Sequence, residues 1–138
     1  MSWMYLLCPI LSWVTAGTLK SIIRACAVGP RALLKIGSGG FPSNHTTIVA
    51  SITALIAFDQ GINTPIFGVA LSVLLVTVFD AVGLRGQVGK HAELLNQSQP
   101  TNTVLHERIG HTRIEVIGGA ILGLAIGFGV YKCGQISG

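Results

Sequence analysis

The chain alternates between long apolar runs and short polar interruptions. Residues 2–19 hold no charged side chain. A second apolar run covers about 45–58, a third about 62–82 and a fourth about 111–131. A helix that crosses a bilayer needs about 20 mostly apolar residues. The second run is short, yet no charged residue occurs between Lys35 and Asp59, so it has room to start earlier or to tilt. The pattern predicts an all-α, polytopic membrane protein with about four transmembrane helices. It leaves nothing over for a soluble domain, so residues 1–138 read as a single membrane-embedded domain. The first run has no basic residue before it, and Lys20 and Arg24 follow it. A secretory signal has a basic start and a small-residue cleavage site, so this run is expected to stay as a helix.

Composition agrees. Only 10% of the 138 residues are charged, against about a quarter in soluble domains, and the mean hydropathy is +0.67. The net charge of +4 does not point to nucleic acid, because the basic residues lie between apolar runs without interleaved aromatics. Three cysteines, Cys8, Cys26 and Cys133, make an odd count without a CxxC pair. Neither a disulfide framework nor a thiolate zinc site follows; they read as small apolar packers.

The polar interruptions are unequal. The first, residues 20–44, carries Lys20, Arg24, Arg31 and Lys35 and no acid. The second, 59–64, has no base, and the third, 83–110, carries most of the remaining charge. With four crossings the first and third share a side, and their basic excess assigns that side to the cytoplasm of an inner or plasma membrane. The segment QSQPTNTV at 97–104 reads as a mobile loop that divides the third interruption. Trp3, Trp13 and Tyr131 suit membrane interfaces.

In the fourth run Gly119, Gly123 and Gly127 repeat every four residues. Small residues at this spacing let another helix approach closely. Packing inside the chain is the first use open to them; a homodimer seam is the second.

Two polar clusters carry chemistry. In GGFPSNHTT, residues 39–47, Gly and Pro make a turn, Ser43 or Asn44 can cap the next helix, and His45 falls in its first turn. Such a helix start suits an anion. In RIGHTRIEVIGG, residues 108–119, His111 and Glu115 stand four apart. On a helix they would share a face, where a carboxylate fixes the imidazole tautomer and leaves the other ring nitrogen free. Two histidines, a carboxylate, a helix start and several cations on one predicted side suit phosphoryl transfer through a nucleophilic His, with the second His protonating the leaving oxygen. Each histidine also has a plain reading, as an interfacial cap residue or a surface His–Glu pair. Asp80 precedes Arg85 by five and either orients it or stands alone in water. His91, Glu93 and Asn96 read as a solvated helical face rather than a metal site. His106 reads as surface.

These motifs resemble the type 2 phosphatidic acid phosphatase (PAP2) superfamily, which includes the vanadium-dependent haloperoxidases. PSNH at 42–45 is similar to its PSGH motif, and HTRIEV at 111–116 to its final His-plus-acid motif. The divergent PAP2 branch is the closer match, through GGFPSNHTT, FDAVGLRGQVGKHAELLN (79–96) and ERIGHTRIEVIGGAILG (107–123). The resemblance spans about 39–127. It implies a metal-independent phosphatase without a cofactor, acting on a membrane lipid phosphate or diphosphate of polyprenyl or glycerolipid type. His111 would be the nucleophile that forms a phosphohistidine, and Glu115 would stand where the superfamily usually has Asp. His45 would be the acid for the leaving group, and Ser43 and the amide of Asn44 would hold phosphate oxygens. Besides Glu115 in the place of Asp, the chain departs from the pattern in three ways. Asn44 replaces a Gly. The first motif, a Lys and an Arg-Pro six residues apart, is absent as such; Lys20, Arg24, Arg31 and Lys35 are the candidates for its cations, with Lys20 or Lys35 preferred. Leu105 stands where an Arg is usual, so Arg85, oriented by Asp80, is the expected substitute.

The sequence thus favours a lipid phosphatase. Three rivals remain: a non-catalytic anion-binding or transport protein, a structural membrane subunit built on the glycine stripe, and a metal-dependent phosphatase using Asp80 or Glu93.

Overall fold

The computed structural model describes residues 2–29, 40–98, 104–107 and 109–136. It is 85% helical, with no strand among the described residues. Among the described residues five α-helices follow in order: α1 (Ser2–Val28), α2 (Asn44–Gln60), α3 (Pro65–Phe79), α4 (Arg85–Ser98) and α5 (Arg113–Ile136). A single π turn, Asp80–Leu84, joins α3 to α4, so the two run on as one element. Among the described residues three helices are long and apolar enough to cross a membrane: Trp3–Ala27, Pro65–Ser98 and Arg113–Ile136. The shorter α2 has 17 residues. That gives about 25 Å of rise, a little under a hydrocarbon core of about 30 Å.

This shortness is tolerable because α2 is the central helix. It packs against α1, α3 and α5, and the residues it buries are mostly small or hydroxylic: Thr46, Thr47, Ala50, Ser51, Thr53 and Ala54, with Leu55 and Ile56 near its end. The closest partner is α5. Gly119 lies against Ser43 and Thr46, Gly123 against Thr47 and Ala50, and Gly127 against Ser51 and Ala54. The numbers rise together on both helices, so α2 and α5 run parallel and begin at the same end. A Cβ on Gly123 would come within 2.6 Å of the Thr47 carbonyl oxygen. Only glycine admits that approach. The glycine stripe therefore serves packing inside the chain, and a homodimer through the same seam would require α2 to leave it.

Helix α1 runs the other way. Ser12 donates to Ser51 at 2.6 Å across the α1–α2 contact. Tyr5 bonds Asp59 at the far end of α2, and Gln60 donates to the Tyr5 hydroxyl at 2.9 Å. Met4, Cys8, Leu55 and Val130 form the apolar core at that end. Interhelical polar contacts of this kind are a common glue between helices in lipid. Helix α3 buries no residue. It touches α2 along one side and otherwise faces outward, as a lipid-facing helix does.

Three boundaries differ from the sequence reading. α1 extends to Val28, so Lys20 and Arg24 belong to its last turns rather than to a loop. The early part of the third interruption is helix α4; its sequence is too polar to be read as the continuation of a span. The fourth helix starts at Arg113, so His111 precedes it.

Candidate functional site

The starts of α2 and α5, the end of α1 and the α3–α4 junction meet at one end of the bundle. Their meeting follows from the parallel α2–α5 pair and from four crossings with one short turn, residues 61–64, at the other end.

His111 arrives on a return segment laid along α4. Asn96 clamps the start of that segment: its side chain donates to the Leu105 carbonyl at 3.0 Å and to Glu107 at 2.8 Å, and accepts from the Leu105 amide at 2.9 Å. Further along, Gly89 packs against the backbone of Glu107 and Ile109. Gly110 then turns the chain with φ +112, and a Cβ there would meet the Gly86 nitrogen at 3.0 Å. Both its conformation and its surroundings call for glycine. The His111 amide donates to the Ala81 carbonyl in the π turn at 3.0 Å. Interruptions of this kind in α-helices often occur at functional sites.

The His111 side chain faces inward, with Nδ1 3.0 Å from Glu115 Oε2, and the two side chains are only 6% and 12% exposed. With the carboxylate as acceptor, Nδ1 carries the proton, and in the neutral ring Nε2 has the lone pair. The i, i+4 spacing was expected to work on a helix surface. It works here because Thr112 begins the helix and Glu115 reaches back. The Thr112 amide donates to the same Oε2 at 3.0 Å, and the Glu115 amide donates to Thr112 Oγ1 at 3.3 Å. This is a capping box. Its sequence signature, T-x-x-E at 112–115, was available in the sequence and was not read.

The backbone carbonyl of Glu115 accepts from the Ser43 amide at 2.9 Å, which ties α5 to the start of α2. Ser43 is fully buried. It occupies the N-cap position of α2 without making a side-chain cap bond; Thr46 Oγ1 donates to its hydroxyl at 3.0 Å. The first backbone bond of α2 runs from Thr47 to Ser43 at 3.0 Å. The amides of Asn44, His45 and Thr46 therefore have no partner within the helix. The side chain of Asn44 approaches Gly17 on α1, and its Oδ1 is buried without a hydrogen-bond partner among the described residues.

His45 is exposed and lines a cavity of about 260 Å³ with Ile48, Val49, Val76, Thr77, Asp80 and Arg85. Arg85 Nε donates to Asp80 Oδ2 at 2.6 Å. Of the two readings of Asp80, the ion pair is the one that forms. The cavity thus has a charged end and an apolar wall between α2 and α3. His111 is not among its lining residues. Arg85, His111 and Lys20 all lie near enough to His45 to act on its charge, and Lys20 is in turn near Arg24 and Glu115. The Arg24 guanidinium covers Gly40, where a Cβ would meet it at 3.1 Å. Lys35, like Arg31, lies outside the described residues. His91 and Glu93 are exposed on α4, and among the described residues no group of three or more His, Cys, Asp or Glu is placed to hold a metal.

Of the expected site residues, the structure brings together His111, Glu115, His45, Ser43, Asn44, Lys20, Asp80 and Arg85. Such an arrangement defines a class: a helical membrane protein that gathers two histidines, carboxylates and several cations at one end of its bundle. The match to the divergent PAP2 family covers residues 1–126, and the chain belongs to that family. Among curated proteins, the uncharacterized membrane protein YuiD of Bacillus subtilis (strain 168) is 26% identical over 112 residues, covering 67% of this chain and 71% of that protein. No solved structure matches the chain.

Proposed function

We propose that this membrane protein is a metal-independent phosphatase that hydrolyses a lipid phosphate or diphosphate through a phosphohistidine. The observation that carries the proposal is the buried His111–Glu115 pair, 3.0 Å apart, beside an α2 start whose Ser43 side chain leaves the first amides uncapped. Glu115 holds the Nδ1 proton, so Nε2 is the nucleophile. It attacks phosphorus, the bond to the leaving oxygen breaks, and His45 gives that oxygen its proton. Water then attacks the phosphohistidine while His45 takes back a proton. The P–N bond breaks, its electron pair returns to Nε2, and inorganic phosphate leaves. Lys20, Arg85 and the first amides of α2 face the charge that builds on the equatorial oxygens. Asn44 Oδ1, an unmatched acceptor, suits a protonated phosphate oxygen. The apolar wall of the cavity suits the chain of an amphiphile whose head reaches the histidines from the bilayer.

The test is inorganic phosphate release by the purified protein in detergent, with excess chelator, over a panel of polyprenyl and glycerolipid phosphates. His111→Ala is run beside it. Release by the wild type alone, with both proteins eluting alike, supports the proposal. Full release by His111→Ala sinks the nucleophile assignment. Silence across the whole panel would transfer the site to anion binding or transport.

A further inference from the structure

We infer that Thr112 is a positioning residue for the nucleophile, acting through Glu115; the inference rests on the role proposed for His111. One carboxylate oxygen, Glu115 Oε2, accepts from two sides at 3.0 Å each: the His111 ring and the Thr112 amide. The backbone amide of Glu115 is in turn held by Thr112 Oγ1 at 3.3 Å. The helix cap and the histidine clamp are therefore one object. Cap geometry fixes where the carboxylate sits, and the carboxylate fixes which ring nitrogen of His111 carries the proton.

Two features indicate that the coupling is tight. His111 lies outside the helix, so no helical backbone bond holds its side chain at a set distance from Glu115. Its own amide is bound to Ala81 in the π turn at 3.0 Å, which anchors the ring's base independently of α5. The alignment of ring and carboxylate then depends on where α5 begins, and Thr112 sets that. The arrangement also accounts for the longer acid. A side chain one methylene shorter has less reach from the third helical position back to the cap amide while also meeting the imidazole, which the capping box does with Glu or Gln.

Thr112 is exposed, so replacing it buries no new group. Thr112→Ala removes the Oγ1 acceptor and leaves the backbone amide; Thr112→Ser restores the acceptor. The experiment reads the His111 tautomer by ¹⁵N chemical shifts in the detergent-solubilised protein, assigned with His111→Ala, together with kcat and KM on the best lipid phosphate. We expect wild type and Thr112→Ser to hold the proton on Nδ1. In Thr112→Ala the population should move toward the Nε2–H form, and kcat should fall about fivefold, the size of an ordinary cap loss, with KM held. A tautomer unchanged in Thr112→Ala overturns the inference, as does a shift that Thr112→Ser fails to reverse. Because the tautomer is read without turnover, a tautomer shift in a protein that hydrolyses nothing would sustain the positioning role while removing the phosphatase.

Discussion

Replacing Gly123 with alanine tests whether the α2–α5 seam holds the site together. The added methyl would lie 2.6 Å from the Thr47 carbonyl oxygen, 2.7 Å from the Ala50 methyl and 2.9 Å from the Ser51 amide nitrogen. All three are backbone or Cβ atoms of α2, so no flexible side chain can turn aside. Comfortable carbon contacts begin near 3.5 Å, and the helices must part by about 1 Å to reach them. Two effects oppose each other. Alanine in a helix interior is favoured over glycine by about 1 kcal/mol, whereas overpacking costs about 1–3 kcal/mol. Contact on backbone rather than on a movable tip puts this site at the upper end, so a net loss of about 1–2 kcal/mol is expected. The consequence for activity is larger. His45 and His111 sit on the two sides of this seam, and a misplacement of about 1 Å costs on the order of 100-fold in rate. Gly129→Ala is the matched control, on the same helix, exposed and with nothing within 4 Å of its Cβ position. Thermal unfolding in detergent and phosphate release would be measured on both variants. Gly123→Ala should melt earlier and lose most of its activity, while Gly129→Ala should match or slightly exceed the wild type. Wild-type behaviour of Gly123→Ala in both assays would refute the reasoning, as would equal damage from Gly129→Ala.

Two further outcomes are expected at the site. His45→Ala should slow hydrolysis of an alkyl phosphate far more than that of an aryl phosphate, whose oxygen leaves without a proton; equal slowing would remove the acid role. Arg85→Lys keeps the charge but loses the guanidinium whose Nε bonds Asp80 and whose other donors remain for a ligand, so kcat/KM for the lipid phosphate should fall about tenfold, with kcat itself reduced; an unchanged kcat/KM would place Arg85 outside the phosphate-binding set.

How far the sequence carried this reading depends on the range of each signal. The apolar runs reported their helices well, because hydrophobic composition is a local property and the bilayer demands it. The stripe of Gly119, Gly123 and Gly127 announced a close approach, but it did not name the partner, since α2 lies more than sixty residues earlier and its small residues are spread among threonines. The helical face expected around His91, Glu93 and Asn96 is there as part of α4, but polarity hid its continuity with α3: RGQVGKHAELLNQS lacks a spanning run, yet it continues α3 through the π turn. The pairing of His111 with Glu115 was foreseen, with a different mechanism, because spacing alone does not say where a helix begins. The Asn96 clamp on Leu105 and Glu107 was unreadable, since neither partner carries a local mark of it. The place of Arg24 over Gly40 was unreadable too, because it depends on how far α1 extends.

The two helix starts at the site differ by a few letters and acquire different roles. Both open parallel helices at the same end, and both present a positive end of the helix dipole. At α5 the T-x-x-E box closes the start with its own carboxylate, which is also the base-side partner of His111. At α2 the corresponding box is absent: Ser43 is buried and bonded with Thr46 rather than capping, and the residue three places on is a threonine with no acid to bring back. One start is satisfied from within and spends its negative charge on a histidine. Its neighbour has first amides that Ser43 does not cap, and it sits among Lys20, Arg85 and His45, which is the setting the proposed function assigns to a phosphate. The asymmetry also sets an order of events for the proposed reaction. A phosphate must settle on the α2 side, where the open amides are, before it meets the nucleophile delivered from the closed α5 side. An acid placed at Thr46 would close the α2 start in the same way, so the proposed site rests on the difference between the two caps rather than on either histidine alone.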